Sequence, residues 1–372
     1  MRFLHLADLH IGKKLYEYSL LDDQKKVLEQ ALQIIDDCRC DEVIIAGDVY
    51  DKSNPSVETM QVFSGFLASL SNMGIPVDII SGNHDSAGRI SYFSELLKVN
   101  HITVTTEFDG TLQAVKSPEE DIQIYLLPFL TPQRVRSVYQ GIPFTTYEEA
   151  LKIVLDHSPI DKSKVNILVA HQFITGGITC ESEEFSVGGL DNINAEIFSD
   201  FDYVALGHLH QPQTCGRDTI RYAGSPLKYS ISEEHQKKTF TVVEIKGKDK
   251  IRIEEFPIQL PHDVRTIQGS FSELMKANRT EDYVRILLTD ETVIPDARIS
   301  LRSNFPKLLN IRLNNEKIKK DWDIPVVEMP QNQTPLELFR EFFTMQNNQT
   351  EPTKEQLDIA KEIFDELQEE LS

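Results

Sequence analysis

Five short apolar runs in this chain each end in residues that bind metals. Residues 3–7 run into Asp8-Leu9-His10, and residues 43–46 into Gly47-Asp48. Residues 77–80 lead through Ser81 into Gly82-Asn83-His84-Asp85. Residues 165–170 end at His171, and residues 203–206 at Gly207-His208-Leu209-His210. Runs of this length read as buried strands. Polar residues at the ends of strands in a parallel-rich sheet share one crevice, so the pattern demands a layered α/β fold with a site along one edge. Any one cluster alone is compatible with an ordinary strand end or turn. Five in series are not.

Between the first two runs, Leu20, Leu21, Val27, Leu28, Ala31, Leu32 and Ile35 recur at helical spacing. Met60, Phe63, Phe66, Leu67 and Leu70 do the same before the third, with Gly74 and Pro76 as stop signals. A third amphipathic piece is expected over 92–97, and one helix over 147–155 in an otherwise irregular stretch from 110 to 160. Residues 239–245 and 251–256 read as a hairpin around Gly247-Lys248-Asp249.

The character changes at Pro257 and Pro261, which mark a linker. The expected domains are 1–256, a second small α/β domain over 257–330 without metal-ligand clusters, and a tail over 331–372. Thr334-Pro335-Leu336-Glu337 opens one amphipathic helix of that tail and Thr353-Lys354-Glu355-Gln356 a second. Such a pair either folds back on the second domain or docks on a partner helix or coiled coil.

Asp8, His10, Asp48, Asn83, His171, His208 and His210 offer carboxylate, amide oxygen and imidazole donors without a thiolate. That mixture suits intermediate divalent ions such as Mn²⁺ better than a structural zinc or an all-oxygen calcium cage. Seven ligands exceed one four-coordinate ion but suit two ions about 3.5–4 Å apart bridged by a carboxylate. Asp48 is the expected bridge. Such a pair activates a hydroxide and clamps an in-line phosphoryl displacement. His84 is assigned to the leaving-group side as proton donor or phosphate contact, with Asp85 expected to orient its ring. His5, His101, His157, His235 and His262 are read as surface or core residues.

Asp8-x-His10, Gly47-Asp48-x-x-Asp51, Gly82-Asn83-His84-Asp85, His171 and Gly207-His208-x-His210 resemble the calcineurin-like metallophosphoesterase superfamily over roughly residues 1–256. Within it, residues 1–12, Ala170-His171-Gln172-Phe173, Gly207-His208-Leu209-His210-Gln211 and Tyr222-Ala223-Gly224-Ser225-Pro226 resemble the bacterial SbcD nuclease-subunit family. The resemblance implies a four-layer sandwich of helices flanking two mixed sheets, with a small α/β cap facing DNA and a C-terminal helix pair. It implies two metal ions with Mn²⁺ favoured and Mg²⁺ the alternative. Asp8, His10, Asp48 and His210 would hold one ion, and Asp48, Asn83, His171 and His208 the other. Also implied are 3′-to-5′ exonuclease action on duplex DNA and endonuclease action on single strands and hairpins, in DNA repair, recombination and replication. The implied partner is an SbcC-type ATPase whose coiled coil receives the tail, with a homodimer inside a heterotetramer.

The bulk properties bound this reading. A net charge of −21 argues against binding of nucleic acid by a broad basic surface of the chain's own; metal ions and a basic partner can supply positive charge locally. No Gly-x-x-x-x-Gly-Lys-Ser/Thr loop occurs, so ATP binding falls to another chain. After Asp48 comes Val49-Tyr50-Asp51 rather than the Arg-Gly of Ser/Thr protein phosphatases, which argues against that activity. A small-molecule phosphodiesterase or phosphatase is the alternative reading. The four cysteines lack paired Cys-x-x-Cys spacing, the apolar runs are too short for a bilayer, and the first residues lack a signal-peptide pattern. The expected location is the cytoplasm, at the nucleoid, with no membrane association.

Overall fold

In the computed structural model, two six-stranded mixed sheets lie face to face. The structure describes residues 1–112, 114–115, 117, 119–183, 193–314 and, in the tail, Leu336, Phe339, Arg340, Phe343, Thr344, 351–357, 359–361 and Phe364. They form two compact units, 1–314 and 315–372.

The first sheet runs in the order Ile251–Pro257, Thr239–Ile245, Arg2–Leu6, Glu42–Ala46, Val77–Ile80, Ile102–Thr105. Its last four strands are parallel, and the hairpin anticipated over 239–256 forms its antiparallel edge. The second sheet runs Gln213–Cys215, Arg217–Tyr222, Tyr203–Gly207, Val165–His171, Ile122–Leu127, Ala114–Val115, with four parallel strands at its centre.

Side-chain alternation along each strand divides the core into layers. Phe3, Ile44, Ala46 and Ile80 of the first sheet meet Ile124, Leu126, Ile167, Val169 and Ala205 of the second between the sheets. Leu4, Leu6, Val43, Ile45, Val77 and Ile79 turn outward and pack under the helices Leu21–Cys38 and Val57–Met73. On the far side, Leu168, Ala170, Val204 and Leu206 pack under Tyr147–Asp156 and Pro132–Val138. The layering is helix, sheet, sheet, helix.

The Val57–Met73 helix starts where Ser56 accepts from the Thr59 amide, a cap typically worth about 1 kcal/mol. It stops where Gly74 adopts a left-handed conformation (φ 72°). Two sequence expectations need correction. Residues 92–97 do not form one amphipathic helix: Ala87–Ile90, a 3-10 turn Ser91–Phe93 and Ser94–Lys98 follow one another, and the last of these buries no side chain. Also, Pro132–Val138 is a helix the apolar pattern does not announce, because its seven residues bury only Val135.

Within the first unit, Val264–Gly269, Tyr283–Leu288 and Leu308–Leu313 form a parallel three-stranded sheet. It has its own core of Val284, Ile286, Leu301, Phe305 and Leu308. The polar seam to the larger sheets includes Asp23, which accepts from Tyr283 Oη (3.0 Å) and pairs with His262 Nδ1 (2.7 Å). His262 therefore sits in this seam. In the second unit Phe339 stacks edge-on to Phe364, with ring centroids 6.5 Å apart. The opening of the first tail helix at 334–335 and the positions Leu367 and Leu371 lie outside the described residues.

Candidate metal centre

All seven candidate ligands sit where parallel strands end. Asp8 and His10 follow Arg2–Leu6, Asp48 follows Glu42–Ala46, and Asn83 follows Val77–Ile80. His171 closes Val165–His171, and His208 and His210 follow Tyr203–Gly207. The loops are zipped together by backbone hydrogen bonds from Asp8 N to Gly47 O (3.1 Å) and His10 N to Asp48 O (2.9 Å). Four ligand-bearing residues lie in the left-handed region, Asp8 (φ 51°), His10 (41°), Asp48 (51°) and His208 (104°). Non-glycine residues reach such backbone only at a cost of about 1–3 kcal/mol each, and cluster there at functional sites.

Asp48 stands at the centre. Its Oδ1 accepts from the His84 amide at 2.9 Å, which leaves Oδ2 to face the rest. That oxygen is 3.6 Å from His10 Nε2 on one side and 3.3 Å from His171 Nε2 on the other. Beyond His10, the His210 Nε2 lies 3.2 Å from His10 Nε2. Beyond His171, Asn83 Oδ1 is 3.1 Å from His171 Nε2 and 3.2 Å from His208 Nδ1. Asp8 joins both groups: its carboxylate falls within 4.8 Å of the donors of His10 and His210, and of those of Asp48 and His171. Two donors on one octahedral ion at about 2.1 Å sit about 3 Å apart, which is the spacing seen here.

His171 tests whether a cation fits. Its Nδ1 donates to Ala46 O at 2.8 Å, so Nε2 faces two acceptor oxygens with its own lone pair. A positive charge must sit among them. Burial pulls this imidazole toward neutrality, yet Asp48 brings it up to about 9, the mark of a spot among these oxygens that favours positive charge. His208 is driven the other way, down to about 3, by burial and by the charge of His171. Burial likewise holds His10 well below its ordinary value. Both rings keep lone pairs for coordination. Cys180 groups with His210 and Glu233, and burial and then Glu233 push its thiol up to about 12.

The structure places His84 beside the seven, with Nε2 4.0 Å from Asp48 Oδ2 and Nδ1 donating to Asp51 O at 3.1 Å. Asp85 does not orient that ring. Its carboxylate accepts from the amides of Val49 (3.1 Å), Tyr50 (3.0 Å) and Gly82 (2.9 Å), tying the Asp48 loop to the Asn83 loop. Three converging amides are the better partners for a charged carboxylate, and the carbonyl of Asp51 does the orienting instead.

Several further residues support the site, and two of them, Gln24 and Tyr229, carry no signal in the sequence. Gln24, on the Leu21–Cys38 helix, donates to Leu9 O (3.1 Å) and His10 O (2.8 Å) and accepts from Gly12 N (2.9 Å). Tyr229 Oη reaches Leu9 O as well. Tyr222 Oη bridges Gln172 O and Ile174 N, each at 2.8 Å, and so fixes the loop after His171. Gly82 is demanded by packing: a Cβ there would collide with the Asp48 carboxylate and backbone. Gly82→Ala is expected to lower metal affinity at least ~10-fold, as displaced ligands do, with little change in far-UV circular dichroism. Wild-type metal content in that variant would refute the close approach.

Residues 1–212 match the family described as calcineurin-like phosphoesterase, and residues 260–347 match one described as type 5 capsule protein repressor C-terminal domain. The SbcD subunit of nuclease SbcCD from Staphylococcus epidermidis is 32% identical over 347 residues, spanning 88% of this chain and 92% of that one. The chain belongs to the calcineurin-like phosphoesterases, in their SbcD branch. The corresponding nuclease subunit from Staphylococcus saprophyticus is 32% identical over 83% of this chain and 84% of its own. A solved dimetal phosphatase from Danio rerio aligns at 13% identity over 70% of this chain and 99% of that one, with a TM-score of 0.40. As an SbcD-branch phosphoesterase the protein is a phosphodiester hydrolase and a metal-dependent nuclease, and its Asp and His cluster suits two metal ions. Among the described residues no helix is long and apolar enough to cross a membrane.

Proposed function

We propose that this phosphoesterase is a Mn²⁺-dependent DNA nuclease subunit that works on ends and hairpins with an SbcC-type ATPase. The observation that carries the reading is the single oxygen of Asp48 facing two separate donor groups. Asp8, His10, Asp48 and His210 would hold one ion, and Asp48, Asn83, His171 and His208 the other. Such ions supply Lewis-acid activation of water and neutralise charge on the phosphate. Mn²⁺ is favoured over Mg²⁺ by four imidazoles in the donor set. The chain's own contribution at the leaving group is His84: with Nδ1 committed to Asp51 O, the proton it can hand over is on Nε2.

The finer activity is 3′-to-5′ exonuclease action on duplex DNA and endonuclease action on single strands and hairpins, serving repair, recombination and replication. The three-stranded sheet over 264–313 acts as the DNA-facing cap, inside the division 1–256, 257–330 and 331–372. The tail docks on the ATPase coiled coil, and the net charge of −21 supports a partner that supplies the basic DNA track. Exposed Tyr92 and Leu96, beside an apolar groove lined by Phe63, Leu67 and Ile90, support homodimerisation; the dimer would sit within a heterotetramer at the nucleoid.

The test is a nuclease assay on blunt-ended and hairpin DNA, with Mn²⁺ or Mg²⁺ and with or without the ATPase. Cleavage that needs metal and rises with the partner is expected. Phe364→Glu with Leu367→Glu should abolish ATPase association while leaving metal-dependent cutting of short single strands intact. DNA left whole under every condition, alongside turnover of a small diester, would reject the nuclease assignment.

A further inference from the structure

Behind His210, on the side away from His10, lies a buried polar relay that no motif marks. The His210 Nδ1 is 2.8 Å from Ser182 Oγ, and that hydroxyl is 2.6 Å from Glu233 Oε1. Glu233 is fully buried, and its second oxygen accepts from Lys238 Nζ at 2.6 Å. Lys238, also buried, reaches His210 O and Ser225 Oγ at 2.8 Å each. Tyr229 N donates to Glu233 Oε1 at 3.1 Å. The same short loop grips the His210 backbone, because Glu183 Oε1 accepts from His210 N at 2.6 Å. That loop is tied down in turn by a bond from Glu181 N to Ser232 Oγ (3.1 Å).

The direction of these bonds follows from their ends. A carboxylate locked to an ammonium can only accept, so the Ser182 hydroxyl donates to Glu233. Its oxygen then accepts, so His210 must carry its proton on Nδ1. The Nε2 lone pair is thereby turned toward His10 and the Asp48 group. A histidine whose second nitrogen is fixed by a carboxylate-linked donor is both oriented and made a better ligand.

We infer that Ser182, Glu233 and Lys238 are positioning residues that set the tautomer and aim of His210, and so control the affinity of one of the two metal positions selectively. The inference rests on the dimetal reading above. It assigns the loop at 180–183 a role at the metal centre rather than in packing alone. Ser182 itself is partly exposed, so its substitution leaves the buried core in place.

Mn²⁺ titrations of the full chain by calorimetry and electron paramagnetic resonance test it. Ser182→Ala should weaken one Mn²⁺ about 10–100-fold while the other keeps its wild-type affinity. Ser182→Thr, which retains the hydroxyl, should recover most of the loss, and Glu233→Gln should resemble Ser182→Ala. Wild-type affinities at both positions in Ser182→Ala would overturn the inference and leave the dimetal reading intact. So would a Thr variant as impaired as the Ala one, or equal weakening of both ions. A wild-type chain that binds no pair of Mn²⁺ would overturn the dimetal reading first, and the inference with it.

Discussion

Asp48→Ala is expected to lose both metal ions at once. One oxygen of this side chain, Oδ2, faces His10 Nε2 at 3.6 Å and His171 Nε2 at 3.3 Å, one in each half of the site. Losing a supporting residue outside the donor set costs metal affinity about 10–100-fold, and losing a shared donor should exceed that at each position. Metal content by mass spectrometry reads the loss. A variant that still held two ions at wild-type affinity would mean that Asp8, the other carboxylate common to both groups, is the true bridge.

His84→Ala is expected to bind both ions yet cut DNA at least ~100-fold more slowly, the usual scale for a lost general acid. The geometry puts the ring at the edge of the donor set, 4.0 Å from Asp48 Oδ2, and fixes it by a backbone carbonyl instead of a charged partner. A proton donor should matter less when the leaving group needs no proton. A diester with an acidic phenol as leaving group should therefore recover much of the lost rate. Because His10, Asp48 and His84 also form a ligand-like group, metal content must be measured alongside rate. Loss of an ion from the variant would make His84 a ligand and remove it from proton transfer.

What could be read from the sequence depended on local contrast. Each ligand follows a largely apolar run, so Asp8, Asp48, Asn83, His171 and His208 announce themselves, and the strand ends turn out adjacent because the central strands are parallel. Glycines 47, 82 and 207 sit beside them because no side chain fits: a Cβ on Gly207 would overlap Ala46 O. Asp85 was legible as a functional residue but its partner was not, since nothing in Gly-Asn-His-Asp says that three amides from two loops converge on it. Ser182, Glu233, Lys238 and Gln24 were invisible. They are single polar residues in unremarkable contexts, and only folding brings them against ligands elsewhere in the chain. The segment 92–97 misled because an amphipathic pattern implies a helix only if a surface exists to cover its apolar residues, and Tyr92 and Leu96 face solvent.

The left-handed backbone at Asp8, His10, Asp48 and His208 bears on how the protein acquires its ions. An unstructured chain seldom visits those angles, and it keeps the five clusters far apart, so it presents no half-strength version of the binding site. Ion binding and folding are thereby linked, and stripping the metal should lower the melting temperature of the chain.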